Sequence, residues 1–270
     1  MQLNNKTIFI TGASRGIGRA IALKCAKAGA NIVIAAKSAE PHPTLKGTIH
    51  SVAEEVEALG GKALALMLDV RDEGAINDAV AIAAKHFGGI DALINNASAI
   101  KLKPTENIEA KDFDLMQSVN TRGVFFVAKA CMPYLAKAPN AHIITLSPPL
   151  NLSPKWLGAS PAYMLSKYGM TLLTLGFAEE YKGDAIHCNT LWPQTLIATD
   201  AIKVNFPAVY DFSMKPAIMA DAVFELLTQK NPPTGQSLID QNILKDAGQT
   251  DFTGYRVDPD IEPQIDMFLD

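Results

Sequence analysis

Cysteine is scarce in this chain: Cys25, Cys131 and Cys188 are the only three in 270 residues. They are too few and too scattered for a disulfide framework or a cysteine zinc site, and each sits among apolar neighbours, as a small buried hydrophobe would. Basic residues are not in excess. Against 28 acidic side chains there are 24 Lys and Arg, a formal net charge of −4, which argues against a nucleic-acid or anionic-membrane surface while leaving room for a local basic pocket. The five histidines (His42, His50, His86, His142 and His187) show no metal-ligand spacing. His142 and His187 fall in strand segments and read as structural. No apolar run approaches the ~18 residues of a membrane span. The first one, Thr7 to Ile10, is strand-length rather than the core of a secretory signal. The chain ends Met267-Phe268-Leu269-Asp270, which is no peroxisomal signal. These absences suit a protein of the reducing cytoplasm.

What is present is ordinary globular composition, 48% hydrophobic and 19% charged, in a chain long enough to bury a large core. Short β-rich runs alternate with helical patterns. Strands are expected at 7–11, 31–36, 63–68, 92–95, 142–146 and 185–191, and helices at 16–28, 48–59, 72–87, 110–135 and 162–181. That alternation implies βαβ units and a parallel sheet, and the near-continuous apolar strands imply a sheet covered on both faces. Right-handed crossovers then give an α/β fold, a doubly wound three-layer αβα sandwich of the Rossmann type. No linker or repeat divides residues 1–270, so one domain is expected. Residues 195–215 mix apolar and polar positions without clean periodicity, as a lid over a substrate or an irregular helix pair would. Residues 241–270 form a tail that packs on the body or on a partner subunit.

The first strand runs into Thr11-Gly12-Ala13-Ser14-Arg15-Gly16-Ile17-Gly18 and then a helix. In this strand–turn–helix setting, Gly12, Gly16 and Gly18 let the backbone approach a pyrophosphate, and the helix N-terminus offers unpaired N–H groups to it. The second strand ends Ala35-Ala36-Lys37-Ser38, where a site for NAD would carry a carboxylate for the ribose 2′-hydroxyl. Lys37 and Arg15 instead suit a 2′-phosphate, which points to NADP. Asp69-Val70, after the third strand, is placed to meet the adenine, the carboxylate accepting from its amino group. After the fourth strand comes Asn95-Asn96-Ala97; Asn95 is expected to tie strands together, and Asn96 and Ala97 to line the cofactor groove.

Tyr163 and Lys167 are spaced i, i+4, on one face of a helix. An ammonium beside a phenol favours the phenolate, turning a group that titrates near ~10 into a usable general acid/base. Alone, this pair more often means a buried ring and a solvated lysine; behind a phosphate-binding turn it points to catalysis. Trp156, Leu157 and Met164 nearby suit either an apolar substrate pocket or core packing.

Taken in order, Thr11–Gly18, Asn95-Asn96-Ala97, Asn120, Tyr163-x-x-Ser166-Lys167 and the strand leading to Pro193 resemble a short-chain dehydrogenase/reductase of the classical type, over nearly the whole chain. Ile32–Lys37, Pro41-His42-Pro43, Ser147–Leu152 and Phe268-Leu269-Asp270 resemble one branch of that family. The resemblance implies a nicotinamide cofactor, which Lys37 and Arg15 make NADPH, and a small carbonyl or alcohol substrate. It implies Tyr163 as proton donor/acceptor, Lys167 on the nicotinamide ribose, and Asn120 holding a water that relays protons. It implies Ser14 and Ile17 beside the pyrophosphate, Pro193, Thr195 and Ile197 near the carboxamide, and a homodimer or homotetramer built on the helices at 110–135 and 162–181. Two positions depart from the pattern. The family places a serine thirteen residues before the tyrosine, where Leu150 stands here. Ser147, sixteen residues before Tyr163, could fill the role, with Ser153 and Asn151 as rivals or no side chain at all. The usual Pro-Gly after the sixth strand is Pro193-Gln194.

Overall fold

The computed structural model describes residues 2–270. The chain begins with β1 (Thr7–Thr11), α1 (Gly16–Lys27), β2 (Asn31–Ala36), α2 (Ile49–Ala58), β3 (Lys62–Met67), α3 (Glu73–Phe87) and β4 (Ala92–Asn95). Then come α4 (Ala110–Met116), a π-helical turn (Gln117–Arg122), α5 (Gly123–Leu135), β5 (Ala141–Thr145), α6 (Pro154–Ala159), α7 (Pro161–Glu180) and β6 (Ile186–Trp192). The remainder holds α8 (Asp200–Asn205), α9 (Ala217–Thr228), β7 (Ser237–Ile239) and α10 (Asp240–Asp246).

Local chemistry explains several boundaries. Thr48 caps α2 by accepting from the Ser51 N–H at 3.0 Å, while the Ser51 hydroxyl accepts from the Thr48 N–H at 2.9 Å. Asp72 caps α3 through the Ala75 N–H, and Gly88 closes that helix at φ 86°. The strand shifts of one residue at β3, β5 and β6 relative to the sequence reading are pairing decisions. A strand is bounded by its neighbour's length, which the sequence does not display.

All seven strands are parallel, in the order β3-β2-β1-β4-β5-β6-β7. Successive side chains of β1 divide between the faces. Ile8 and Ile10 pack with Ile21 of α1 and Val223 of α9, while Phe9 packs with Ile76 of α3, Val127 of α5 and Met170 of α7. Two cores flank one sheet, the expected αβα sandwich. The strand order reverses between β1 and β4, so the crevice beyond their carboxyl ends is where this architecture takes a ligand.

Two features differ from the sequence reading. The helix expected over 110–135 is interrupted by the π turn, whose residues keep helical dihedrals and so leave the apolar pattern intact. Strand β7 and helices α6, α9 and α10 were not expected. Of these, β7 has three residues, and its pairing with β6 rather than its composition makes it a strand. The segment 195–215, read as a lid or an irregular helix pair, has irregular helical structure. It contains α8 and a 3₁₀ turn (Pro207–Val209), pinned by bridges from Thr195 to Ile265 and from Ile197 to Met214. Among the described residues no helix is long and apolar enough to cross a membrane.

Candidate active site

The glycine turn is shaped by two close approaches. Gly12 has φ 65°, a region costly for side-chain-bearing residues. A Cβ on Gly18 would stand 2.7 Å from the Gly12 carbonyl oxygen and 2.6 Å from Asn96 Nδ2. Asn96 Nδ2 donates to the Thr11 and Gly12 carbonyls, both at 2.9 Å, and Thr11 Oγ1 accepts from the Asn96 and Ala97 N–H groups, both at 3.1 Å. Asn96 and Ala97 thus brace the turn from β4. Asn95 is buried and donates to Thr145 Oγ1 at 3.3 Å, tying β4 to β5. Helix α1 carries no acidic residue in its first turn and Lys24 and Lys27 in its last, leaving its N-terminus open to an anion.

A cavity of about 420 Å³ opens at this crevice. Ile17 and Asn96 form one side, Tyr163 and Lys167 another, and Pro193, Ile197 and Thr199 a third. Apolar side chains from the segment after β6 (Leu196, Ile202, Phe206 and Val209) complete it. Trp156, Leu157 and Met164 are not in the wall; they pack behind Tyr163 in an aromatic cluster around Phe268. A larger cleft of about 860 Å³ lies beyond Arg15, Gly16 and Thr199, but neither Tyr163 nor Lys167 reaches it.

Lys167 is buried, and its Nζ donates to the Leu146 carbonyl at 2.6 Å and stands 5.1 Å from the Trp192 ring centroid. Burial lowers its pKa to about 7, and only Asp266 opposes that fall. Tyr163 is pushed above the ordinary phenol value, by burial first and by Asp266 second. The lysine therefore does not bring the phenol down in this arrangement, contrary to the expectation from spacing. Its ammonium is turned to the Leu146 carbonyl just beyond β5, and desolvation of the ring dominates.

Asn120 is fully buried in the π turn. Its Oδ1 accepts from the Ala99 N–H at 2.7 Å, and its Nδ2 donates to the Ala99 carbonyl and to Ser166 Oγ, both at 2.9 Å. It joins the loop after β4 to α7 and does not line the cavity. Ser147 is also fully buried, and its Oγ accepts from Thr171 Oγ1 at 2.9 Å. Just beyond β5 its hydroxyl is engaged by Thr171, two turns along α7 from Tyr163, and the two prolines that follow carry no hydroxyl. Ser153 Oγ is buried without a partner outside the cavity wall, and the Asn151 amide donates to the Phe268 carbonyl and to Asp270.

The adenosine end is more crowded than the sequence suggests. Asp69 is held well below the usual carboxylate range, chiefly by hydrogen bonds from Arg71, and Lys37 Nζ sits 3.3 Å from it. The Lys37 charge thus faces a carboxylate already shared with Arg71. Arg15 donates to the Gly47 carbonyl at 2.9 Å. Ser14 is buried beneath this loop, and Val70 packs against Gly123, where a Cβ would meet Val70 Cγ2 at 3.0 Å. Among the buried polar atoms without partners are Arg15 Nε at the adenosine end and Thr195 Oγ1 behind the cavity. Such orphans ask for a ligand, and together with the glycine cradle they fit a dinucleotide laid from Arg15 to Thr195.

A family model for short chain dehydrogenases matches residues 6–208. The chain belongs to the short-chain dehydrogenase family. Among curated members it is 53% identical over 265 residues to the human hydroxysteroid dehydrogenase-like protein 2, an alignment covering 98% of this chain and 63% of that one. It therefore spans less than two thirds of that relative. A protein of solved structure from Xanthomonas campestris is 52% identical, with a TM-score of 0.97 and full coverage of both chains. A short-chain dehydrogenase from Mycobacterium thermoresistibile is 45% identical, with a TM-score of 0.94 over 99% of this chain and 96% of that one. Members of the short-chain dehydrogenase family are oxidoreductases that bind nicotinamide dinucleotides.

The sequence reading missed Asp266, Trp192 and Ser98, which also line the cavity. Only Asp266 left a trace: it is a lone carboxylate inside Ile265-Asp266-Met267-Phe268, the composition of a packed rather than a solvated tail.

Proposed function

We propose that this chain moves hydride between NADP(H) and the carbonyl or alcohol group of an apolar or acyl substrate, with Tyr163 exchanging the proton on the substrate oxygen. The observation that carries this reading is the joint presence of Tyr163 and Lys167 in the wall of an apolar cavity beside the glycine turn. When bound, the nicotinamide supplies or accepts the hydride. The chain's part is positional and electrostatic. Gly12, Ser14, Gly16, Ile17 and Gly18 receive the pyrophosphate at the α1 N-terminus. Lys167 holds ribose hydroxyls, Thr195 Oγ1 takes a carboxamide hydrogen bond, and Pro193 and Ile197 bound the ring. Arg15 and Lys37 favour a 2′-phosphate, and Asp69 and Val70 bound the adenine. The segment 195–215 closes the cavity from water, and Asn120 holds the π turn against α7.

A homodimer or homotetramer is part of the reading. It is supported by large apolar side chains left exposed on α5 and α7, notably Phe125, Leu165 and Leu172. A cytoplasmic, reducing setting suits three buried free thiols whose pKa values burial raises.

Calorimetric titration of NADPH and NADH into wild type and Lys37→Ala tests the cofactor assignment. Tight NADPH binding that weakens at least tenfold in the variant, with NADH little changed, is the expected result; binding of neither would end the enzyme reading. A second reading, a dinucleotide-binding sensor with little catalysis, is favoured by the orientation of Ser147 toward Thr171. It predicts tight NADPH binding with no turnover across a broad panel of carbonyls and alcohols.

A further inference from the structure

The cavity wall holds two side chains with opposite formal charge and no others: Lys167 from α7 and Asp266 from the C-terminal segment. Among the described residues neither enters an ion pair with any other group, and they stand too far apart to form one directly. The rest of the cavity lining is apolar or uncharged, so their fields are less screened there than at an open surface.

The backbone makes this placement rigid. Residues 264–266 run antiparallel to residues 194–196: the Asp266 N–H donates to the Gln194 carbonyl at 3.1 Å, and the Leu196 N–H to the Gln264 carbonyl at 3.0 Å. Trp192 Nε1 donates to the Met267 carbonyl at 2.9 Å, and the Phe268 ring lies among Trp156, Tyr163, Tyr168 and Trp192. Asp266 Oδ1 accepts from the Met267 N–H at 2.6 Å, which fixes the carboxyl at the cavity wall. A segment a hundred residues beyond Tyr163 is thus built into the same wall by backbone ladder, indole and ring contacts.

We propose that Asp266 is the counter-carboxylate of Lys167, a positioning residue that holds the lysine ammonium in its charged form from across the cavity.

The groups facing Asp266 are Lys167 and Tyr163 from α7 and Asp240 from the start of α10. Asp240 is fully buried; its Oδ1 accepts from the Gln194 N–H at 2.8 Å and the Gln241 N–H at 2.7 Å, and its Oδ2 has no partner. Burial raises Asp266 to about 7, with the Met267 N–H and Lys167 opposing and Asp240 adding to the rise. Burial also lowers Lys167 to the same region. Two opposite groups brought to one pH range across a shared cavity titrate as a unit. The carboxylate of Asp266 favours the ammonium of Lys167, and Asp240 adds to the burial that disfavours that carboxylate. The electrostatic pairing stands on the cavity geometry; its consequence for turnover rests on the function proposed above, because a charged lysine is what orders ribose hydroxyls.

The test is an NMR pH titration of the full chain carrying isotope-labelled lysine, with the Lys167 signal identified by its loss in Lys167→Arg. In Asp266→Asn the Lys167 midpoint is expected to fall by about one pH unit or more, a tenfold loss of proton affinity, while Asp266→Glu keeps most of it. In Asp240→Asn, which leaves the cavity wall intact, Asp266 ionises more readily and the Lys167 midpoint rises. An unchanged midpoint in either asparagine variant overturns the pairing, as does a shift opposite to the one stated, and the Asp240 arm still decides if Asp266→Asn does not fold. The readout needs no turnover. Shifted midpoints in a protein that reduces nothing would sink the enzyme reading alone, and an active protein with unshifted midpoints would sink this one alone.

Discussion

Phe268→Ala should unfasten the C-terminal segment from the active-site wall. The Phe268 side chain is 1% exposed and its ring lies 5.4 Å from Tyr168, 5.8 Å from Trp156, 6.0 Å from Trp192 and 6.4 Å from Tyr163, centroid to centroid. Truncating a fully buried phenylalanine costs about 3–5 kcal/mol, from lost transfer free energy and the cavity left behind. Relaxation of a chain-end segment can recover part of this, so about 3 kcal/mol is expected. The loss should not stay local. The hydrogen bonds from Trp192 Nε1 to Met267 and from Asn151 Nδ2 to the Phe268 carbonyl hold the same stretch, and loosening them frees Asp266. The assay is chemical denaturation of wild type and variant at matched protein concentration, with limited proteolysis of the native state. The variant should unfold at clearly lower denaturant and be clipped within 257–270 before any other site. A cost below about 1 kcal/mol with no early cleavage would refute the claim that this segment is an integral wall of the cavity.

Gly18→Ala places a Cβ within 2.7 Å of a backbone oxygen and 2.6 Å of Asn96 Nδ2. The overpacking should cost about 1–3 kcal/mol and weaken dinucleotide binding at least tenfold by calorimetry, whereas binding within twofold of wild type would contradict the brace described for the turn. Tyr163→Phe should abolish turnover of any substrate found while leaving NADPH affinity within about threefold; retained turnover would remove Tyr163 from the mechanism. His142 is buried against His187, ring centroids 5.3 Å apart, and its pKa is lowered from 6.5 to about 4 by burial first and His187 second. Above pH 6.5 the group is neutral folded or unfolded and contributes nothing to pH dependence. Between 6.5 and 4 the unfolded chain takes up a proton that the fold refuses, so stability falls as pH drops, by about 3 kcal/mol in total. His142→Gln should flatten that part of the stability–pH curve, and a slope identical to wild type would show that His142 is not responsible.

Local order was legible where short-range chemistry sets it. The alternation of apolar strands with amphipathic helices dictates a parallel sheet, and Gly12, Gly16 and Gly18 mark a strand-to-helix turn within eight residues. Tyr163 and Lys167 share a face because a helix repeats every ~3.6 residues. None of these needs a distant partner. The π turn escaped notice because its residues keep helical dihedrals and the same apolar periodicity as α4 and α5. β7 escaped because three residues carry no pattern until β6 pairs with them.

The environment of the site belonged to the tertiary structure. The orientation of Ser147 toward Thr171, the approach of Lys37 to Asp69, and the saturation of the Asn120 amide by Ala99 and Ser166 depend on contacts over long sequence separations. So does the sign of the Tyr163 shift. Spacing alone brings a lysine within reach and suggests a lowered phenol, but burial, set by how β5, α7 and the C-terminal segment close together, raises it instead. Which residue types meet at a site can be read along the chain. How far each is removed from water, and which charge faces it, is a property of the packed volume, and Asp266 entered that volume only when the chain folded its last residues back against Trp192.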